Sequence, residues 1–327
     1  MNMNMKILRG VLATCALSVA AATVTQAADS YPSRPVRLLV PFAAGGGADT
    51  LARIIAPKLH DSLGTPWVVD NRGGAGGNIA AQIVAEAAPD GHTAFMGFNT
   101  VLTVNPTLYK LPYSVEKDFA PVTMLATAQY LLVLHPSVQA NTLKEFVALA
   151  KSKPGALNYA SAGVGSPLHL AAELFKARAG IDMVHLAYKG GSPAAAAVLA
   201  GEAQVVFGSV SASVPQIKAG KLRALATTGK QRSKVMPDLP TIAESGYPGF
   251  EVSSWYALLL PAKTPAAVIK QIHGAALKAL QQDDVQKAMA QRGLDAETST
   301  PQELAARMKA ETKIWAGVIK TANIKVQ

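Results

Sequence analysis

Strand and helix patterns alternate along most of this 327-residue chain, and that alternation restricts its fold more than any other feature. Apolar runs at 36–41, 67–69 and 92–97 are typical of strands, and the segment 50–63 between the first two carries apolar residues at helical spacing. The same alternation restarts at 130–136. Strands that alternate with helices form parallel sheets, so the sequence predicts an α/β protein.

The alternation falls into two similar blocks, at about 30–125 and 130–250, followed by a helical tail. At roughly 150 residues per domain, this length predicts two domains. We expect the tail to return to the first block, so that the chain crosses twice between two lobes and leaves a cleft where small ligands bind. The expected division is 28–127 plus 252–327 for lobe 1 and 128–251 for lobe 2.

Several helix starts are marked by a hydroxyl residue followed by proline. We predict caps at Ser166, Ser192, Thr264 and Thr300, each followed by Pro167, Pro193, Pro265 and Pro301. Glu303 completes the pattern of a capping box with Thr300. The last helix is predicted over 301–320.

The N-terminus has the pattern of a secretory signal peptide. Lys6 and Arg9 precede an apolar run at about 11–24, and small residues lead to a cleavage site after residue 27. A membrane anchor would need about 18 or more apolar residues. Cys15 is the only cysteine and is a weaker match to a lipoprotein acylation site, because the apolar run before it is very short. Cleavage of residues 1–27 therefore predicts an exported protein without disulfides.

The charge of the chain is positive but scattered. The formal net charge is +10, and loss of Lys6 and Arg9 leaves about +8. A nucleic-acid groove requires clustered basic residues with interleaved aromatic residues, which the sequence lacks. A positive field of this kind still attracts small anions.

Three segments share one design, in which a strand leads through a turn of small residues into a helix: VPFAAGGGADT, LNYASAGVGSPLHL and LAYKGGSPAAAA. A helix start presents unpaired N–H groups and about half a positive charge, which stabilise an anion. The first two turns lie in different lobes and expose much backbone, so they predict a two-sided anion clamp. His169 lies three residues after the Ser166 cap and is therefore a further candidate contact.

A nicotinamide oxidoreductase is the main alternative for the first glycine turn. Gly45 and Gly47 follow a strand, and Asp70 lies 23 residues beyond Gly47, near the spacing of a ribose-binding acid. However, Thr50 stands where the third glycine of the motif is required. A phosphate loop is also excluded, because no Gly-Lys-Ser/Thr follows the glycines.

A hydrolase or a metal site has less support. Ser192 in GGSPA approaches the nucleophile elbow, but Pro193 has no N–H to donate to an oxyanion. The six histidines show no ligand spacing, and a mature chain without cysteine offers no thiolate ligand. The sequence therefore predicts no catalytic residue, no metal and no cofactor.

Seven motifs, in order along the whole mature chain, closely resemble the Bug or TctC family of periplasmic solute-binding proteins. They include YPSRPVRLLVPFAAGGGADTLARIIAPKL, VVDNRGGAGGNIAA, APDGHTAFMG, LNYASAGVGSPLHLAAELF, VHLAYKGGSPAAAAVLAGE, IKAGKLRALATTGKQRS and LPTIAESGYPGFEVSSWYALLLPAKTP. The resemblance implies a two-lobed, type II-like periplasmic binding protein in which each lobe is a mostly parallel sheet flanked by helices.

The resemblance also implies a ligand carboxylate in the interlobe cleft, held by backbone groups and waters from one loop in each lobe. Those loops correspond to 42–49 and 161–169. The candidate ligand-binding residues are Phe42, Ala44, Gly45, Gly46, Gly47, Asp49, Asn78, Phe98, Asn99, Thr100, Ser161, Ala162, Gly163, Gly165, Ser166, His169, Tyr188 and Ser209.

One departure from the family pattern bears on the ligand. Ala197 and Gln204 stand near positions where family members carry acids, which disfavours amino-acid ligands with an ammonium group. Phe98 is a candidate stacking surface for an aromatic or aliphatic carboxylate, or alternatively a core residue. The implied protein is a monomeric periplasmic receptor that delivers a small carboxylate to the permease of a tripartite tricarboxylate-type transporter. A receptor for a membrane signalling sensor is the second possibility.

Overall fold

The computed structural model describes residues 31–188, 190–322 and 324–325, so the expected signal peptide and Cys15 lie outside the described residues. Ten strands are present in this part of the chain: β1 (Val36–Val40), β2 (Trp67–Asn71), β3 (Thr93–Phe98), β4 (Phe119–Leu134), β5 (Asn158–Ser161), β6 (Val184–Ala187), β7 (Val205–Ser209), β8 (Arg223–Thr227), β9 (Ser253–Pro261) and β10 (Asp295–Ala296). The α-helices are α1 (Gly47–Leu63), α2 (Asn78–Ala85), α3 (Asn105–Leu108), α4 (Val115–Asp118), α5 (Leu143–Ser152), α6 (Pro167–Ala179), α7 (Gly191–Leu199), α8 (Val210–Lys218), α9 (Ala266–Leu280), α10 (Asp283–Ala290) and α11 (Pro301–Thr321).

The strands form one continuous sheet that passes through two lobes in the order β2-β1-β3-β9-β4-β7-β5-β6. In lobe 1, β1 pairs in parallel with β2 and β3, and β9 is antiparallel to β3 and β4. In lobe 2, β5 pairs in parallel with β6 and β7, and β4 is antiparallel to β7 and β8. In each lobe, the antiparallel strand is the one that arrives from the other lobe. The predicted two-lobed α/β fold is confirmed.

The long strand β4 carries the chain from lobe 1 into lobe 2. Its first part pairs with β9 as far as Gln129, and from Tyr130 it pairs with β7 and β8. Thr228 connects the two segments that cross between the lobes. Its hydroxyl accepts a hydrogen bond from Tyr130 N at 3.0 Å and donates one to Val252 O at 2.5 Å. The sequence predicted only the second part of this strand.

The apolar core is divided in the same way. Lobe 1 contains two clusters on opposite faces of its sheet, one around Leu51 on α1 and one around Phe95 on β3. Lobe 2 contains a single large cluster around Phe175 on α6. The helices therefore cover both faces of the lobe-1 sheet, as expected for parallel strands.

Two predicted helix caps are confirmed and two are wrong. Ser166 accepts from His169 N at 3.3 Å, and Thr300 forms the capping box with Glu303. Thr264 does not cap, because its hydroxyl donates to Pro261 O at 2.8 Å and α9 begins one residue later, after Pro265.

Ser192 is also not a cap. Helix α7 begins at Gly191 with Gly190 as its cap residue, so Ser192 lies inside the first turn. Gly190 adopts φ 120°, a backbone conformation that favours glycine, and this allows the helix to start earlier than the Ser-Pro pair predicted.

None of the helices in the described part of the chain combines the length and the apolar character that a membrane crossing requires.

Candidate functional site

The glycine turn of lobe 1 follows the buried strand β1 and opens helix α1. Gly45 has φ 85°, which favours glycine, and its N–H donates to the Asp49 carboxylate at 2.8 Å. Arg53 donates from one turn later to the same carboxylate at 3.0 Å, and this hydrogen bond holds the pKa of Asp49 below its usual range. Asp49 is 4% exposed, so it stabilises the turn rather than facing solvent.

The start of α1 leaves backbone donors available. Gly46 provides no side-chain cap, and within the described residues no acceptor is recorded for the N–H groups of Gly47 and Ala48. Gly45, Gly46 and Gly47 are exposed. A 17-residue helix therefore presents its positive end to solvent at the carboxyl edge of β1.

Three aromatic rings lie beside this turn. The Phe42 and Phe98 ring centroids are 5.2 Å apart, and those of Phe98 and Tyr256 are 5.1 Å apart. A Cβ placed on Gly47 would lie 2.5 Å from the Tyr256 hydroxyl oxygen, so only glycine fits there. Sequence reasoning missed Tyr256. The one available signal was its position at the start of the returning strand β9.

Three other lobe-1 candidates are enclosed by protein. Asn78 accepts hydrogen bonds from Asn105 Nδ2 at 2.7 Å and from the Tyr113 hydroxyl at 3.0 Å. Asn99 donates to Ser253 O at 3.2 Å, and Thr100 is buried next to it. These residues position the turns around the cleft in this conformation.

The lobe-2 turn runs from the end of β5 to the start of α6. Ser161 is fully buried, and its hydroxyl accepts from Gly163 N at 3.1 Å and lies 2.6 Å from His185 Nε2. Gly165 N donates to His169 Nδ1 at 3.1 Å. Backbone and side chains of this turn thus hydrogen-bond to one another, and the exposed residue of the turn is Val164.

The rings of Tyr159, His185 and His169 form a stack that packs against this turn. The centroids of Tyr159 and His185 are 4.8 Å apart, and those of His185 and His169 are 4.1 Å apart. Burial and the neighbouring His185 lower the pKa of His169 to about 4, and burial also lowers the pKa of His185. Both rings are therefore neutral at pH 7. Because His169 Nδ1 accepts a hydrogen bond, Nε2 carries its proton.

The remaining lobe-2 candidates mark the carboxyl ends of neighbouring strands. Tyr188 N donates to Ser161 O at 3.0 Å, and its hydroxyl donates to Glu202 at 3.2 Å, away from the turn. Ser209 caps α8 by accepting from Ala212 N at 3.4 Å. Ala162 lies half-buried in the turn itself. The lobe-2 candidates therefore share one edge of the sheet, as the lobe-1 candidates do.

The lobe-2 turn contacts a helix of lobe 1. A Cβ on Gly165 would lie 3.0 Å from the Leu108 side chain at the end of α3. Two cavities of about 690 and 640 Å³ lie elsewhere, one behind the crossing strands near Arg307 and one between α4 and α11.

The acid of the alternative dinucleotide site is already bound. Arg37 donates to Asp70 Oδ2 at 2.6 Å and Arg72 donates to Asp70 Oδ1 at 2.9 Å. A carboxylate bound by two arginines is not free to accept from a ribose hydroxyl, which argues against this alternative.

The two-lobed fold, with a turn of small residues at the carboxyl end of a parallel strand in each lobe, defines a binding protein of the periplasmic type. Residues 51–324 match the model of the tripartite tricarboxylate transporter family receptor, TctC, and the chain belongs to this family. The chain is 36% identical to the protein BugT of Bordetella pertussis over 97% of its own length and 98% of BugT. It is 38% identical to a protein encoded in the tcbD-tcbE intergenic region of Pseudomonas sp. strain P51, covering 95% of this chain and 93% of that protein.

Solved structures agree with this assignment. A Rhodopseudomonas palustris protein solved with adipate has a TM-score of 0.78 and 34% identity, over 90% of this chain and 99% of that chain. MatC from Rhodopseudomonas palustris, solved with bound malate, has a TM-score of 0.74 and 34% identity, over 88% and 100%. Members of this family are periplasmic solute-binding receptors rather than enzymes.

Proposed function

We propose that this protein is a periplasmic receptor that captures a small organic carboxylate in its interlobe cleft. The observation that carries the proposal is the start of α1 at the carboxyl edge of β1, where Gly45, Gly46 and Gly47 are exposed and, among the described residues, the N–H groups of Gly47 and Ala48 have no protein acceptor. Backbone donors and the helix dipole stabilise an anion without a basic side chain. Similar proteins solved with adipate and malate support a carboxylate as that anion.

In this proposal some of the eighteen candidate residues contact the ligand, and the others hold the turns of the cleft in place. Ala44, Gly46 and Gly47 offer backbone, and Asp49 holds their turn. In lobe 2 the backbone near Gly163 and the Ser166 hydroxyl complete the clamp, while Ser161 and His169 support it from below. Contacts made only when both lobes face the ligand would favour a closed state and shift the population toward it.

The wider organisation is part of the proposal. Lobe 1 comprises 28–127 and 252–327, and lobe 2 comprises 128–251. Residues 1–27 direct export to the periplasm and are removed. The receptor acts as a monomer and delivers its ligand to the membrane permease of a tripartite tricarboxylate-type transporter, in keeping with its family.

A thermal-shift screen of the mature protein tests this function. The screen compares di- and tricarboxylates, aromatic carboxylates and acidic amino acids. A ligand at 100 times its Kd stabilises the native state by about 2.7 kcal/mol, so a specific carboxylate should raise the melting temperature by several degrees. No shift with any carboxylate would contradict the proposal.

Gly46→Val tests the location of the site. The backbone of Gly46 is extended at φ −78°, so valine fits there, but its side chain would cover the start of α1. We expect at least tenfold weaker binding of the ligand found in the screen, with little change in the melting temperature of the free protein. Gly274→Val is the control, because a Cβ there meets nothing within 4 Å. Equal affinity of Gly46→Val and wild type would place the ligand elsewhere.

A further inference from the structure

The buried tyrosine beside the glycine turn has an environment unlike that of the other buried tyrosines. Tyr256 is 7% exposed and lies on β9 opposite Phe98 of β3. Tyr113, Tyr130 and Tyr159 are buried to a similar degree, and each donates or shares its hydroxyl hydrogen with a protein group, namely Asn78, Ser254 and Glu173. Among the described residues, no such partner is recorded for the Tyr256 hydroxyl.

Buried polar groups in proteins almost always have a hydrogen-bond partner. The Tyr256 oxygen is also absent from the fully enclosed, unpartnered polar atoms of the described residues, so it retains some solvent-accessible surface. It lies beside the exposed Gly47. A buried ring whose hydroxyl keeps some accessible surface and has no protein acceptor is suited to a ligand acceptor.

The hydroxyl lies at the positive end of α1. A Cβ on Gly47 would be only 2.5 Å from the Tyr256 oxygen, which places the hydroxyl directly against the first residue of the helix. The free N–H groups of Gly47 and Ala48 start at the same point. A phenol donor placed beside the unpaired N–H groups of a helix start favours one kind of partner, an anionic oxygen.

We propose that Tyr256 is a specificity-determining residue whose hydroxyl donates a hydrogen bond to the ligand carboxylate at the start of α1. This inference rests on the proposed function and extends it to a side chain on the returning strand. The phenol stays protonated under all physiological conditions, because burial raises its pKa to about 12. As a neutral donor, the phenol can orient the ligand carboxylate without adding a charge to the site.

The same arrangement limits the group attached to that carboxylate. The rings of Phe98 and Phe42 adjoin Tyr256, and the acid of the turn, Asp49, is already bound by Gly45 and Arg53. An ammonium next to the carboxylate would find apolar rings and no free acid in the turn. The carboxylate that Tyr256 contacts is therefore attached to a carbon without an ammonium group.

Calorimetric titration of the mature protein with adipate, malate and benzoate tests the role of Tyr256. Tyr256→Phe removes only the oxygen, and we expect about 10- to 150-fold weaker binding of whichever probe binds wild type most tightly, corresponding to one hydrogen bond to a charged group. The melting temperature of the free protein should not fall. Tyr130→Phe is the matched control, since the Tyr130 hydroxyl bonds to Ser254, which lies on β9 as Tyr256 does. It should keep wild-type affinity within twofold.

A second measurement follows the hydroxyl directly. In protein labelled at tyrosine Cζ with ¹³C, the probe should shift one resonance that is missing from Tyr256→Phe. If wild type binds a probe but Tyr256→Phe binds it equally well and no Cζ resonance moves, the assignment of Tyr256 is wrong and the proposed function stands. If wild type binds none of the three probes and none of the carboxylates of the thermal-shift screen, both are overturned. Equal affinity for a monocarboxylate and its 2-amino derivative, such as butyrate and 2-aminobutyrate, would contradict the ammonium argument alone.

Discussion

At the scale of residues, the lobe-2 turn depends on two buried neutral histidines. His169 accepts from Gly165 N at 3.1 Å and stacks on His185, which in turn lies 2.6 Å from the Ser161 hydroxyl. A protonated His169 would lose its acceptor nitrogen and place a positive charge against a second imidazole in a buried site. The shape of the turn is therefore tied to the neutral form of these rings.

Stability should consequently fall on acidification. The pKa of His169 is about 4 in the folded protein, against an ordinary value of 6.5. Between these values the unfolded chain binds more protons, so the free energy of unfolding decreases as pH falls from 6.5 toward 4. For this residue alone the loss between pH 7 and pH 5 is about 2 kcal/mol. Urea unfolding at the two pH values should show a loss smaller by about that amount in His169→Gln.

His60→Gln, which makes the same replacement at an exposed position, is the control for the substitution itself. An identical pH dependence in His169→Gln and wild type would show that His169 is not the buried titrating group.

The sequence can indicate which turns to propose as the site, but not which of their polar atoms remain free of protein partners. Ser161 and Asn78 were candidate ligand contacts, yet both are buried and bonded to protein groups. Their partners, such as His185 and Asn105, come from other elements and are set by packing. Tyr256 was missed for the converse reason, since only the pairing of β9 with β3 brings it to the glycine turn.

At the scale of elements, helix α1 carries an acid at the same end that is proposed to receive a carboxylate. Asp49 is buried in its first turn, and Arg53 compensates its charge one turn later. Removing Arg53 would leave an uncompensated negative charge close to the ligand. The ion pair therefore matters more for ligand binding than for folding.

Arg53→Gln should weaken carboxylate binding roughly three- to tenfold, from like-charge repulsion over a few ångströms. Because Arg53 is 57% exposed, the cost in stability should stay below about 1 kcal/mol. Added salt should narrow the difference from wild type, since it screens exposed charges. Lys58→Gln is the control, because Lys58 lies farther along α1 and pairs with Asp284 of α10. Unchanged affinity in Arg53→Gln at low salt would contradict this account.

Most elements were predictable because their apolar periodicity matches their burial, as in β1 and α6. Strand β4 was predicted only from residue 130, because its first part contains Pro121, Thr123 and Thr127 and shifts register at two points against β9. Its pairing with β9 depends on a strand more than a hundred residues away, which local patterns do not contain.

At the scale of the whole molecule, helix α11 connects the cores of the two lobes. Leu304 and Met308 in its first half belong to a lobe-1 cluster, whereas Trp315 and Ile319 in its second half belong to the lobe-2 cluster. The sequence led us to expect that this helix packs on lobe 1. Its far end instead contacts lobe 2, so the helix runs alongside the two crossing strands as a third connection.

Trp315→Ala tests whether the second half of α11 stabilises lobe 2 alone or both lobes. Trp315 is 5% exposed in the lobe-2 cluster, and removing a buried tryptophan side chain costs about 3–5 kcal/mol. Because its contacts are on the lobe-2 side, hydrogen exchange should accelerate at the amides of β7 and stay unchanged at those of β1. Ile314→Ala is the control, since Ile314 is 53% exposed on the same helix and should alter neither lobe. Equal loss of protection in both lobes would mean that α11 joins them into a single cooperative unit, so that lobe closure could not proceed without rearrangement of this helix.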